Sequence, residues 1–341
     1  MFDGSTEGYI NSSKIFRYSD RIGTLLAGKS SYPITIAIHA TNRCNCKCSY
    51  CNYERIRNDT TLTFLQWKKI LDQLNQIDVR GINLTGGGEP LLNPCIREVV
   101  QYAKSLGFSL GLITNGILLN EYLDLLNDFK WIRVSVDTDN KEDYRNIRGV
   151  DSFDQVIENL NRAVELKRET FSRVTIGTHA VITKENINRL YDIASFYKKI
   201  GVDYFQFRPE EQTKYTKQQF SKIKIIIPRL EDLKTEAFQV INSAYKWEKQ
   251  YSQKRIYTRC HVADLIGTID AEGNWYICCH WVGFPNYSYG NLIDEPLEEL
   301  LERRYLVQEN IDINCCQIDC RGTFWNDAIE KIKNSVHIEH I

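Results

Sequence analysis

Four cysteines fall within residues 44–51, and three of them, Cys44-x3-Cys48-x2-Cys51, have a spacing suited to one iron–sulfur cluster. Three thiolates can hold three irons of a cubane cluster and leave the fourth open. An open iron allows chemistry on a bound substrate or cofactor rather than simple electron storage. Zinc also takes closely spaced thiolates, but it wants a fourth ligand, and no Cys or His follows Cys51 at the usual spacing. Cys46 adds a thiol inside the trio and is a competing ligand on residue type alone.

A glycine run, Thr85-Gly86-Gly87-Gly88-Glu89-Pro90, follows further along. With both segments in view the chain resembles the radical S-adenosylmethionine (SAM) superfamily, whose most recognisable motifs are CxxxCxxC and GGEP. The resemblance implies that Cys44, Cys48 and Cys51 ligate a 4Fe–4S cluster and that Cys46 does not. It also implies that Gly87, Gly88 and Glu89 meet the amino group of the SAM methionine, with Glu89 supplying complementary charge or a carbonyl. Glycines there let backbone approach a ligand closely. Tyr50 stands where the family places an aromatic against the adenine; its plain alternative is a loop aromatic. Asn115, in Thr114-Asn115-Gly116, and Ser135 and Asp137, in Ser135-Val136-Asp137, lie in segments like those that contact SAM, although Ser and Asp also cap loops. Arg148 is suited to the methionine carboxylate through bidentate bonding; an exposed helix arginine is the other reading. A reduced cluster and SAM would give a 5′-deoxyadenosyl radical that abstracts hydrogen, so no His or Ser triad is needed.

Eleven cysteines need an account. Beyond the first group, only Cys95 is isolated, read as a small buried apolar residue, and six lie between 260 and 320. That second group, Cys260, Cys278, Cys279, Cys315, Cys316 and Cys320, resembles the auxiliary-cluster extension called SPASM, or twitch when truncated. Two adjacent pairs favour one cluster, with Cys260, Cys278, Cys316 and Cys320 as ligands and Cys279 and Cys315 as substitutes. Zinc, or a purely structural cluster, is the alternative. A 4Fe–4S cluster with four protein thiolates has no open iron. It would take or relay an electron, which points to a net oxidation.

These groups need elements to hold them. Apolar β-branched runs alternate with helical spacing, predicting strands at 34–39, 81–85, 109–114, 132–137, 174–182 and 203–208. Helices are expected at 64–77, 96–106, 121–129, 153–168 and 187–200, with Gly107 and Gly201 at helix stops. Repeated strand–helix units imply parallel strands joined by crossovers. Six such units resemble the partial (β/α)6, TIM-like barrel of radical SAM enzymes, with its chemistry on the loops after the strands. After Pro209 we expect a short apolar run at 222–227, a helix at 231–249, a hairpin at 265–270 and 274–279 turning at Gly273, and closing helices at 297–306 and 325–332. The division is then residues 1–32 as an N-terminal extension, 33–225 as the barrel and 226–341 as a small α+β auxiliary-cluster domain.

The 341 residues are 43% hydrophobic and 26% charged with a net charge of −1, ordinary for a globular protein. No basic tract favours nucleic acid, and no run of about eighteen apolar residues or signal-peptide pattern appears, so the cytoplasm is the expected location. Polar residues placed to face the barrel interior are His39, Asn83, Gln206, Arg208, Glu210 and Glu211, with His179 mid-strand and open to either face by alternation. Of these, Arg208 and Glu210 are the candidate catalytic residues. Arg208 would anchor an anion or orient a hydroxyl, unless it pairs with Glu210 or Glu211 at the rim. The first functional reading is oxidation or rearrangement of a small polar metabolite (a sugar, aminocyclitol or nucleotide derivative), as in the twitch-type alcohol dehydrogenases of aminoglycoside biosynthesis. The second is maturation of a ribosomal precursor peptide by a thioether or carbon–carbon crosslink or by epimerisation. Residues 1–32 are too short for the winged-helix recognition domain such maturases often carry, which favours the small molecule. A non-enzymatic electron carrier or zinc scaffold leaves the barrel and the glycine loop unexplained. The family's reductants are flavodoxin- or ferredoxin-like.

Overall fold

The computed structural model describes residues 12–210, 217–243, 255–316, 320 and 322–335. Ten strands join in one open sheet: β1 (Thr35–His39), β2 (Gly81–Thr85), β3 (Ser109–Thr114), β4 (Phe129–Ser135), β5 (Thr175–Ile182), β6 (Tyr204–Pro209), β7 (Gln239–Asn242), β8 (Ile266–Ile269), β9 (Asn274–Tyr276) and β10 (Ser288–Asn291). Their order is β10-β9-β8-β1-β2-β3-β4-β5-β6-β7. Strands β1 to β7 are parallel to their neighbours, β8 lies parallel to β1, and β8, β9 and β10 pair antiparallel. The partial parallel barrel is therefore present, followed by the expected hairpin.

Helices α1 (Ser19–Leu26), α2 (Phe64–Gln76), α3 (Ile96–Ser105), α4 (Lys141–Arg148), α5 (Phe153–Glu169), α6 (Leu190–Ile200), α7 (Lys217–Glu231), α8 (Leu297–Glu309) and α9 (Thr323–Lys333) accompany the strands. Helix α2 starts with a capping box in which Thr63 and Gln66 satisfy each other's end groups. It buries Trp67, Ile70 and Leu71 in one core with Ile36, Ile38, Ile82, Leu84 and Val134 from the strands. Side chains alternate along a strand, so the intervening residues form the inner face.

Two inner-face glycines, Gly111 and Gly177, have a packing reason: a Cβ would overlap the Trp131 ring at the first and the Tyr204 ring at the second. These aromatics fill the barrel toward the N-terminal ends of the strands, as side chains fill closed barrels. Nearer the C-terminal ends the face turns polar. Ser135, His179 and Gln206 share one register row across β4, β5 and β6. Arg133 donates to Gln206 Oε1 at 3.1 Å, and the Gln206 amide donates to Ser243 Oγ at 3.3 Å.

Several expectations change. The helix expected over 231–249 is replaced at 239–242 by β7, because Val240 and Ile241 bury against β6 as a seventh parallel strand; residues 244–249 lie outside the described residues. The apolar run 222–227 belongs to α7, so a boundary after residue 225 would cut a helix, and the sheet continues through it. Residues 119–128 form a 3-10 run with a kink at Tyr122 rather than an α-helix. Strand β4 begins at Phe129 and ends at Ser135, which leaves Asp137 beyond it in the left-handed region at φ 61°. At the other end of the chain, Ile22 and Leu25 of α1 pack with Leu265 and Ile329 of the C-terminal part. Arg304 of α8 donates to the carbonyls of Ala263 and Asp264, tying that part to itself at 3.2 and 2.7 Å.

Candidate functional site

All the first-group residues lie at the C-terminal ends of the parallel strands. Cys44, Cys48 and Cys51 occupy the loop after β1, half-buried, while Cys46 is buried. Backbone bonds fix this loop from two sides. Gly88 N donates to the Thr41 carbonyl at 2.9 Å and Glu89 N to the Arg43 carbonyl at 2.8 Å, while Lys47 N and Ser49 N donate to the carbonyls of Arg148 and Ile147. The glycines serve this lacing. A Cβ at Gly88 would overlap the Arg43 carbonyl, and one at Gly87 would overlap Asn42 Oδ1. Their freedom from side chains admits the cysteine loop itself.

Each sulfur of the trio accepts an N–H: Cys44 from Cys46 N at 3.4 Å, Cys48 from Arg148 Nη1 at 3.5 Å and Cys51 from Arg57 Nη2 at 3.2 Å. The Cys48 thiol is lowered, first by a hydrogen bond from Cys46, whose own thiol is raised by it, with the Arg148 charge adding and burial opposing. A thiol that ionises readily is the form that binds iron.

The two buried carboxylates nearby are committed to internal partners. Glu89 is buried and accepts from Leu91 N at 3.2 Å, Thr114 Oγ1 at 2.6 Å and Asn115 N at 2.7 Å, so its side chain joins the ends of β2 and β3. Burial pushes its carboxyl up to about 7. Asp137, fully buried, accepts from Tyr50 Oη at 2.6 Å and Val181 N at 2.7 Å and pairs with Arg148 Nε at 2.6 Å. Asn115 donates to Asn45 of the cysteine loop at 2.6 Å. Asn93 and Asn186, which sequence reasoning missed, hold these loops through carbonyls: Asn93 bonds Ala40 and Leu62, and Asn186 bonds Asp137 and Val181.

Several buried polar atoms on this edge lack a partner: both ring nitrogens of His39, Oδ1 of Asn42 and Nη2 of Arg148. Buried polar groups are normally paired. Together with three clustered thiols outside any disulfide, they fit a cluster and a polar ligand such as SAM. Among the described residues no three Cys, His or acidic side chains converge as one metal ion requires; cubane thiolates sit on separate irons. Burial alone pushes the His39 imidazole down to about 3, so it is neutral.

The second thiol group gathers around the hairpin. Burial pushes Cys260 up to about 12, with Cys320 and Cys316 adding to it. Burial also raises Cys278, with Cys279, Cys320 and Cys260 as neighbours, and Cys316, with Cys320 beside it. Cys315 points away: it is exposed and donates to Asp312 Oδ2 at 3.0 Å. Cys95 is half-buried at the head of α3, its thiol donating to Asn93 Oδ1 at 2.9 Å.

A short segment after Cys51 latches the two groups together. Tyr53 Oη donates to the Cys279 carbonyl at 3.2 Å and sits edge-on to His39, ring centroids 4.8 Å apart. Arg55 Nη2 donates to the Val282 carbonyl at 2.5 Å and covers the Phe284 ring at 4.7 Å. Gly283, at φ 84°, permits this approach, since a Cβ would stand 3.0 Å from Ile56.

The sequence matches the Radical SAM superfamily over residues 38–197, the stretch carrying both motifs and strands β2 to β5. The protein carries a radical SAM domain. Among its relatives is an S-adenosylmethionine-dependent nucleotide dehydratase of Selenomonas ruminantium, 32% identical over 49% of this chain and 62% of that one. Another, a probable GTP 3′,8-cyclase of Methanopyrus kandleri, is 34% identical over 46% of this chain and 50% of that one. The chain thus spans about half to three-fifths of the length of these relatives. In fold it is similar to Streptococcus suis SuiB bound to its precursor peptide SuiA, with TM-score 0.65, 17% identity, and coverage of 85% of this chain and 70% of that one. It is also similar to anSMEcpe with bound AdoMet, with TM-score 0.62, 17% identity and coverage of 91% and 98%. These likenesses reach beyond the radical SAM domain into the cysteine-bearing C-terminal part. Radical SAM domains use a 4Fe–4S cluster and SAM. No helix among the described residues is long and apolar enough to cross a membrane.

Within the radical SAM domain the structure links half-buried Tyr50 and Cys48 to buried Asp137 and Arg148 in one network and sets Ser135 on the inner face. Arg208 lies near the end of β6 beside Val181 and Glu210 follows the strand, both half-buried and engaged with neighbours. Glu211 lies outside the described residues. Tyr53, Arg55 and Arg57 went unnoticed because nothing local marks an aromatic or arginine as a contact to a distant loop.

Proposed function

We propose that this protein is a radical SAM enzyme that oxidises a small polar metabolite (a sugar, aminocyclitol or nucleotide derivative) and passes an electron to a C-terminal auxiliary cluster. Cys44, Cys48 and Cys51 are the proposed ligands of the first 4Fe–4S cluster, and Cys260, Cys278, Cys316 and Cys320 those of the second. When bound, the first cluster and SAM supply a 5′-deoxyadenosyl radical that removes a hydrogen atom from the substrate. The chain's own part is to bind, orient and exclude water. Gly87, Gly88 and the backbone of Glu89 border the SAM site, Tyr50 and Asn115 flank it, and Asp137 holds Tyr50 and Arg148 in place. Ser135 also lines the SAM site, and His179, Gln206 and Arg208 offer hydrogen bonds to the substrate from the inner face, with Glu210 at the rim. One observation carries the reading: a compact polar face above the Trp131 and Tyr204 floor, on the same sheet edge as the thiol trio. The nucleotide-directed names of two sequence relatives support a small substrate.

Peptide maturation is the second reading, favoured by the fold likeness to a protein solved with its precursor peptide across 85% of this chain. A flavodoxin- or ferredoxin-like protein is the proposed reductant. The test is anaerobic reconstitution, then deuterium transfer into 5′-deoxyadenosine from labelled sugars, aminocyclitols and nucleotides, with candidate peptides as the other arm. Transfer from a small molecule supports the first reading, transfer only from peptide selects the second, and a protein with full iron that makes no 5′-deoxyadenosine under dithionite overturns both.

A further inference from the structure

The donors on the first thiol trio differ in charge from those on the second group. Two of the three are guanidinium groups, Arg148 on Cys48 and Arg57 on Cys51. In the second group Cys260 faces the Asn326 amide at 3.8 Å and Cys320 accepts from Gly322 N at 3.3 Å, both uncharged. Arg148 is offset by Asp137 at 2.6 Å. Arg57 is half-buried and forms no ion pair with a carboxylate among the described residues, while the Glu54 carboxylate acts on Cys51 in the opposite sense. It reaches Cys51 because the 3-10 turn Glu54–Ile56 folds the chain back, Arg57 N donating to the Glu54 carbonyl at 3.1 Å.

From these contacts we infer that Arg57 raises the reduction potential of the cluster proposed for Cys44, Cys48 and Cys51, an inference that rests on that ligand assignment. Reduction by dithionite adds one electron, and so one negative charge, to the cluster. A cation hydrogen-bonded to a ligand sulfur stabilises that added charge, whereas hydrogen bonds and nearby charge otherwise absent leave the oxidised form favoured. Partial burial keeps solvent from screening the interaction. The guanidinium fork also fixes direction in a way an ammonium does not. Arg57 acts through Cys51, so it is a positioning and tuning residue rather than a catalytic one.

The experiment is a redox titration of the anaerobically reconstituted full chain, read on the paramagnetic resonance signal that changes when SAM is added. That change singles out the cluster with an open iron. Arg57→Gln is expected to keep wild-type iron and to show a lower midpoint potential, and Arg57→Lys to shift by less. A wild-type midpoint in Arg57→Gln with full iron overturns the inference and leaves the ligand assignment standing. If Arg57→Gln loses iron, Arg57→Lys decides: a lowered midpoint supports the inference, and a wild-type midpoint or iron loss overturns it. A wild-type protein with no SAM-responsive signal overturns both the assignment and the inference.

Discussion

Single thiols and one imidazole show how much neighbours decide. Cys315 and Cys316 are adjacent, yet Cys315 is exposed and bonded to Asp312, while Cys316 turns toward Cys320. Cys315→Ser should therefore keep wild-type iron, and Cys316→Ser should lose about four irons per chain; colorimetric iron analysis after reconstitution separates them. His39 makes a pH prediction. Its pKa falls from 6.5 in the unfolded chain to about 3 in the folded one, because burial disfavours the charged ring. As pH falls below 6.5 the unfolded state takes the proton first, so the stability this residue contributes is present above that pH and is lost toward about 3. The slope is at most about 1.4 kcal/mol per pH unit. Melting midpoints of the apoprotein should fall between about pH 7 and 5, and less steeply in His39→Leu; equal slopes would refute the assignment. The residue types were legible in the sequence. Which face His179 takes was not, because alternation fixes only relative orientation until a neighbouring strand sets the register.

Among elements, the glycine loop after β2 and the cysteine loop after β1 behave as one unit. Gly88→Ala should push the Arg43 carbonyl away and weaken the backbone bonds from Gly88 and Glu89. We expect a loss of about 1–3 kcal/mol of stability together with poor cluster assembly, measured by thermal melting and by iron content. Wild-type iron in that variant would show that the lacing does not matter. Most strands and helices were readable from periodicity and Gly stops. The errors have physical causes: Val240 and Ile241 carry too short a signal to register as a strand until β6 offers a partner, and residues 119–128 tighten into 3-10 turns that share a helix's spacing.

Across the whole molecule, the sheet runs from the hairpin strands through β1 to β7, so both thiol groups sit on one continuous scaffold. Segment 53–56 then fastens them. Arg55→Ala removes a charged hydrogen bond to Val282 and the cover over Phe284. A loss of about 1–3 kcal/mol is expected from contacts of this kind. Hydrogen exchange should speed up at residues 279–287 while the barrel core stays protected; unchanged exchange there would refute a fastening role.

By itself the sequence determined the two thiol groups, the glycine loop, the strand–helix alternation and the superfamily resemblance, because each is written in short-range spacing. Tertiary structure alone decided that Gly88 makes room for a carbonyl, that Glu89 and Asp137 serve internal partners, and that Tyr53, Arg55 and Arg57 reach across loops. Those outcomes depend on burial and on partners far apart in the chain, which no local pattern encodes.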